Sequence, residues 1–99
     1  MPVYIVATVR ITDPEGYAPY LQAAPPTIEP HGGKIVAVGA PSEILEGEWP
    51  QTTYVAAVEF ESKEKALAWW NSPEYQEVKK IRLGKGAANV VLLEPMTPG

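Results

Sequence analysis

His31 is the only histidine in the 99-residue chain, and it is the side chain best suited to move a proton. The ordinary pKa of histidine lies near neutrality, which suits a general acid or base. His31 immediately precedes Gly32-Gly33, where a helix is predicted to end. Two interpretations follow. His31 is a catalytic proton carrier, or it is a donor near the free carbonyls of a helix end.

Aromatic side chains form the second group of candidates. Small-molecule sites are usually apolar pockets with a few polar tips, and five aromatic residues fit that description: Tyr20, Trp49, Trp69, Trp70 and Tyr75. We include all of them except Trp69 in the predicted substrate site. We predict that a tyrosine donates a hydrogen bond and that the tryptophans form walls. The alternatives are core packing for the residues on helices and dimer packing for Trp49, which stands in a predicted turn.

Two arginines are candidates for binding a substrate carboxylate. Arg82 ends the last predicted helix, and Arg10 lies on the less apolar face of the first predicted strand. A guanidinium matches a carboxylate in charge and geometry. The alternative is an exposed or interfacial ion pair of small net value. We include Arg82 in the predicted substrate site.

Signatures of other chemistry are missing from the sequence. The chain has no cysteine, which excludes thiol chemistry and disulfides. A single histidine without cysteine disfavours a transition-metal site. Gly84 and Gly86 do not form a phosphate loop, because no strand precedes them and no Lys-Ser pair follows. We expect no metal and no cofactor.

Charge and hydropathy restrict the partners. The net charge is −4, and the eight Lys and Arg residues are scattered, which argues against a nucleic-acid partner. No apolar run approaches the roughly 18 residues of a membrane span, and no leader resembles a signal peptide. We expect a cytoplasmic protein with one domain at residues 1–95 and a tail at 96–99.

Hydropathy of period two predicts strands. The first strand spans residues 3–11, the third spans 53–60 and the fourth spans 89–94. The second spans 34–38, and we expect it to continue through Glu43 to Leu45 beyond a bend at residues 39–42.

Capping residues delimit the helices. Asp13-Pro14 begins one helix, which we expect to be distorted at Pro19 and ended or kinked at Pro25-Pro26. Ser62 begins another. Ser72-Pro73 interrupts that helix and starts a short one that ends before Gly84.

The element order β-α-β-β-α-β predicts a ferredoxin-like α+β domain, a four-stranded antiparallel sheet with the helices on one face. The opposite face of the sheet should be polar if it meets water. Instead, both faces of strands one, three and four carry large apolar residues. An exposed apolar face of this kind marks an interface, so we predict a homodimer that packs sheet against sheet.

Five segments with characteristic spacing cover nearly the whole chain: Asp13-Pro14 with Tyr17 and Tyr20, Pro25-Pro26-Thr27 before Gly32-Gly33, Glu46-Gly47-Glu48-Trp49, Glu59-Phe60-Glu61-Ser62, and Trp69 through Gln76. Together they resemble the DUF1330 proteins, a small family of the dimeric α+β barrel superfamily. The resemblance implies a ferredoxin-like fold and a homodimer, but no particular reaction.

The chain departs from the family pattern at three places. Trp70 stands where tyrosine is frequent, and Gly39-Ala40 replaces a frequent Gly-Gly. The third strand lacks the arginine that commonly opens it, because Thr52-Thr53-Tyr54 stand there instead. Any anion-binding role of that arginine in relatives is therefore not implied for this chain.

Two functional hypotheses remain. In the first, the protein is a cofactor-independent enzyme, like a monooxygenase or isomerase, acting on a small organic molecule with His31 as proton carrier. In the second, it is a non-catalytic small-molecule-binding or accessory dimer. A catalytic site should bring His31 or a tyrosine within hydrogen-bond reach of a pocket.

Overall fold

A computed structural model describes residues 1–96 of the chain. The strands are β1 Val3–Ile11, β2 Lys34–Gly39, β3 Tyr54–Phe60 and β4 Gly86–Leu93. The helices are α1 Pro14–Ala23, α2 Pro25–Ile28, α3 Lys63–Trp70 and α4 Pro73–Arg82, and a 3₁₀ turn, Glu29–His31, follows α2. Of the tail predicted at 96–99, residues 97–99 lie outside the described part.

The strands form one antiparallel sheet in the order β2-β3-β1-β4. The central strand β1 pairs with β3 on one side and β4 on the other, and the helices cover one face. This is the predicted ferredoxin-like α+β arrangement, which the structure confirms. No helix within residues 1–96 combines the length and apolar character that crossing a membrane requires.

The two faces of the sheet differ in what covers them. Val3, Ile5 and Val9 of β1 are buried beneath the helices, whereas Tyr4 and Val6 between them point to the opposite face. The described chain is only 17 Å deep along its shortest axis. Two layers, one of helices and one of sheet, fill that depth, so the second face has no cover within the subunit.

Side-chain caps explain where the longer helices begin. Asp13 accepts a hydrogen bond from the backbone of Gly16, and Ser62 accepts one from Lys65. Each cap satisfies a donor that the first helical turn leaves free. These helix starts agree with the sequence-based prediction.

Three local predictions are wrong. α1 continues through Pro19 as an α-helix, because Pro19 and Glu15 lie on its exposed side, where water can reach the carbonyl left without a donor. Residues 43–45 form no strand, because nothing in the sheet pairs with them. β4 begins at Gly86 rather than at residue 89, because Arg10 and Ile11 of the long β1 provide partners for its first residues.

Candidate functional site

A cavity of about 170 Å³ lies between the sheet and the helices. Its floor is aliphatic and belongs to the helix-covered face of the sheet. Ala7 lies opposite Ala56 on the neighbouring strand, and Ala88 lies opposite Val9. Because the methyl groups of these alanines fill little volume, they leave space under the helices that larger side chains would occupy.

The roof of the cavity is aromatic. α1 contributes Tyr17 and Tyr20, which are three residues apart and therefore on the same side of that helix. Trp70 ends α3 and Tyr75 lies in the first turn of α4, whereas Tyr54, at the start of β3, belongs to the sheet. Several elements that are distant in sequence thus meet around one apolar space.

The junction between α3 and α4 positions two of these aromatic residues. The hydroxyl of Ser72, a buried side chain, donates to the Trp69 carbonyl at 2.7 Å and accepts from the Tyr75 amide at 3.2 Å. The Gln76 side chain also donates to the Trp70 carbonyl at 2.6 Å. These bonds tie the end of α3 to the start of α4, so Trp70 and Tyr75 are held side by side.

Phenol groups form two hydrogen-bonded pairs beside the cavity. The oxygens of Tyr17 and Tyr54 are 2.6 Å apart, and those of Tyr20 and Tyr75 are 2.8 Å apart. The rings of Tyr17 and Tyr20 also meet edge to face, with centroids 5.3 Å apart. The four tyrosines therefore make one connected cluster that joins α1, β3 and α4.

Burial controls the protonation of this cluster. Burial is the largest effect and raises the pKa of Tyr17, Tyr20 and Tyr54 above the ordinary value for tyrosine. The hydrogen bond with Tyr54 raises the pKa of Tyr17 further, and interaction with Tyr75 does the same for Tyr20. At neutral pH these three phenols are therefore protonated and can donate hydrogen bonds, but they cannot act as phenolate bases.

Arg82 is the only charged residue that lines the cavity within residues 1–96. It lies at the end of α4, is half-buried, and places its guanidinium carbon 5.6 Å from the centre of the Tyr20 ring. This distance allows a cation–π contact. No ion pair of the described residues includes Arg82; all four involve other side chains.

The structure brings together four of the six predicted site residues. Tyr20, Trp70, Tyr75 and Arg82 all line the cavity. His31 does not line it: its Nε2 lies 3.3 Å from a carboxylate oxygen of exposed Glu74, across the helical layer from the 3₁₀ turn to α4. The contact with His31 lowers the pKa of the Glu74 carboxyl group.

Trp49 and Arg10 lie away from the cavity. Trp49 belongs to the segment between β2 and β3, where it borders a groove with Ile44 and Leu45 beside the uncovered face of the sheet. These three side chains are exposed, Leu45 to 89%. Arg10 also points to the uncovered face, next to Thr8. The sequence analysis placed Trp49 in one site with the aromatic residues of the helices. In the structure, Trp49 borders the groove near the uncovered face, whereas Tyr20, Trp70 and Tyr75 line the cavity.

Two residues of the cluster, Tyr17 and Tyr54, were absent from the predicted site. The signals that could have identified them are the helical spacing of Tyr17 from Tyr20 and the position of Tyr54 two residues before Ala56 on β3, on the same face. Among the described residues, no group of three potential metal ligands occurs.

A family model for DUF1330, described as a domain of unknown function, matches residues 2–96. No protein of curated function matches the chain at a significant level.

Three solved structures show the extent of the likeness. RPA0582, a protein of unknown function from Rhodopseudomonas palustris, has a TM-score of 0.78 at 24% identity over 98% of this chain and 84% of its own. A dimeric ferredoxin-like protein of unknown function from Thermobifida fusca has a TM-score of 0.68 at 17% identity, with coverages of 94% and 90%. SnoaB, a cofactor-independent oxygenase from Streptomyces nogalater, has a TM-score of 0.70 at 10% identity, with coverages of 98% and 95%. At these identities the likeness is one of fold.

Proposed function

The chain belongs to the DUF1330 family, and from this premise we propose that it forms a homodimer in which each subunit binds a small organic molecule between its sheet and its helices. The observation that carries the proposal is the cavity above Ala7, Ala56 and Ala88. It joins an apolar floor to a roof with a few polar tips, which is the usual character of a small-molecule site.

The residues that we assign to ligand contact are the predicted Tyr20, Trp70, Tyr75 and Arg82, together with Tyr17 and Tyr54. We propose different roles for the two other predicted residues, His31 and Trp49. His31 bonds Glu74 and holds the 3₁₀ turn against α4, and Trp49 contributes to the contact between subunits.

The uncovered face of the sheet supports the homodimer. Val91 and Leu93 of β4 are 51% and 47% exposed there, and Val6 lies beside Val91 on β1. A row of aliphatic side chains in water is unfavourable, and a two-fold partner with the same face would cover it. The Thermobifida fusca protein of the same fold is described as dimeric.

Catalysis without a cofactor is the second candidate function. The observation that favours it is the collection of phenol donors and one guanidinium around a single apolar space, because such groups stabilise negative charge that develops on a substrate oxygen. SnoaB shows that a protein of this fold can be a cofactor-independent oxygenase. In this candidate function Arg82 and the tyrosines stabilise charge, and the described cavity lining contains no carboxylate or histidine base.

Benzene is a suitable probe for the cavity, because apolar cavities of about 150 Å³ bind it. We expect benzene to shift the NMR signals of the Trp70 indole and of backbone amides near Tyr20. Native mass spectrometry of gently purified protein should show a dimer and any retained ligand.

A matched pair of variants locates the binding. Ala56→Leu fills the floor of the cavity and should weaken benzene binding at least about tenfold, because the added methylenes occupy the site. Ala68→Leu makes the same change on the exposed side of α3 and should bind benzene as the wild type does. Equal binding by both variants, or no binding by the wild type, would remove the cavity from the proposal.

A further inference from the structure

The size of the cavity restricts its occupant. At about 170 Å³ it is only slightly larger than cavities that accommodate a single benzene ring. Side chains of the sheet line it on one side, and aromatic side chains of the helices line it on the other. The volume suits one ring or an aliphatic body of similar size.

The charge at the edge of the cavity is positive and has no protein counter-ion in the described chain. Arg82 is half-buried, and no ion pair of residues 1–96 includes it, although the protein carries more acidic than basic residues. A half-buried cation beside an apolar space attracts an anion more strongly than an exposed one, because water screens it less.

The phenol pairs add donors to the same space. Each phenol has one O–H, and in each pair one O–H is donated to the partner oxygen, so the other remains free. The two pairs therefore leave two O–H donors besides the N–H groups of Arg82. A ligand group with several acceptor sites and no donor of its own matches this set.

A carboxylate is the group that best satisfies both observations. It carries the negative charge, it accepts several hydrogen bonds, and its plane matches the guanidinium fork. The contact with the Tyr20 ring limits the orientations of the Arg82 guanidinium. A guanidinium has five N–H donors, so N–H groups remain for a ligand besides those directed at the phenols of Tyr20 and Tyr75.

We propose that the cavity selects a compact carboxylate, with a single ring or similar apolar body over the alanine floor and its carboxylate on Arg82 and the free tyrosine hydroxyls. The raised pKa values of Tyr17, Tyr20 and Tyr54 support this selection, because the donors stay protonated at neutral pH. The inference rests on the proposed small-molecule function and specifies its ligand class.

Benzoate and benzamide test the inference, because they share a ring and a planar head group but differ in charge. Isothermal titration calorimetry at pH 7.5 and low salt should show benzoate binding about tenfold tighter or more, as a charge-assisted bidentate contact provides. Equal binding of the two probes would overturn the inference, while benzene binding would still uphold the proposed function. Failure of benzene and both other probes would overturn both proposals.

Variants of α4 show which cation is responsible. Arg82→Gln should remove the preference for benzoate. Arg82→Lys keeps the charge without the planar fork and should retain only part of the preference. Lys80→Gln removes one charge from an exposed position on the same helix and should preserve the preference. A preference that survives Arg82→Gln, or that Lys80→Gln abolishes equally, would contradict the assignment to Arg82.

Discussion

The two faces of the sheet are built from neighbouring residues of the same strands, yet they differ in polarity and enclosure. Ala56 of β3 lies in the floor of the cavity, and Ala57 beside it points to the uncovered face. Four phenols and one guanidinium lie around the cavity between the inner face and the helices. The outer face presents aliphatic side chains such as Val6 and Val91, with no layer over them.

This difference separates two kinds of recognition. A concave apolar space with a few donors can orient a small molecule, because each donor restricts the position of the ligand. A broad apolar surface without enclosure cannot retain a small ligand but can be covered by another protein surface. This difference supports the proposal that the inner face binds a ligand and that the outer face contacts a second subunit.

The largest effect is expected on the outer face. Val91→Lys places a charge within the proposed interface, and two-fold symmetry places it there twice. Burying unpaired ammonium groups is unfavourable, so we expect dimer dissociation to increase at least about a thousandfold. Light scattering after size-exclusion chromatography measures the subunit count.

Leu67→Lys is the control for this prediction, because it introduces the same charge at an exposed position on α3. The wild type and Leu67→Lys should be dimers, and Val91→Lys should be a monomer that retains the circular dichroism of the fold. A dimeric Val91→Lys protein would place the interface elsewhere.

An intermediate effect is expected at the junction that shapes the inner face. Ser72→Ala removes the cap of α4 and the bond to the Trp69 carbonyl. Loss of a cap typically costs about 0.5–2 kcal/mol, and burial of Ser72 places this substitution toward the upper end. Urea denaturation measures the free energy of unfolding, and probe binding should weaken because Trp70 and Tyr75 are less firmly positioned.

Ser72→Thr retains a hydroxyl that can cap, so it should recover part of the lost stability. If Ser72→Ala unfolds at the same urea concentration as the wild type, the junction does not stabilise the inner face.

The smallest effect concerns protonation of the tyrosine cluster. Because the folded-state pKa values of Tyr17, Tyr20 and Tyr54 are raised, the folded protein retains protons that the unfolded chain releases above about pH 10. Their contribution to stability is therefore fully present below that pH and is lost as the pH rises above it. Ultraviolet absorbance of tyrosinate should show these groups ionising late in the folded protein.

Tyr17→Phe should remove one group from the late part of that titration. In concentrated urea the five tyrosines of the wild type should ionise together near pH 10. An unchanged late phase in Tyr17→Phe would show that Tyr17 is not one of the protected phenols.

Local patterns explain how much of this structure the sequence could predict. The alternation in β1 and the caps at Asp13, Ser62 and Ser72 depend on neighbouring residues, so they were readable without the fold. The extra length of β4 was not, because its first residues pair with Arg10 and Ile11, far away in the chain. The regular helix at Pro19 also depends on context, namely on its exposed position.

The candidate site was only partly predictable for the same reason. Residue type identified Tyr20, Trp70, Tyr75 and Arg82 as candidates, but the same reasoning also selected Trp49. Aromatic character shows that a side chain can line an apolar space, and it does not show which space.

By itself the sequence determined the order of strands and helices, the helix caps, the two apolar faces of the sheet and the absence of thiol chemistry. These properties depend on residue types and on spacings of a few positions. Only the tertiary structure decided that the Tyr17–Tyr54 and Tyr20–Tyr75 pairs form, that Arg82 lines the same cavity and that His31 lies outside it. Such contacts join residues 37 and 55 positions apart, and their geometry is set by how α1 and α4 pack on the sheet.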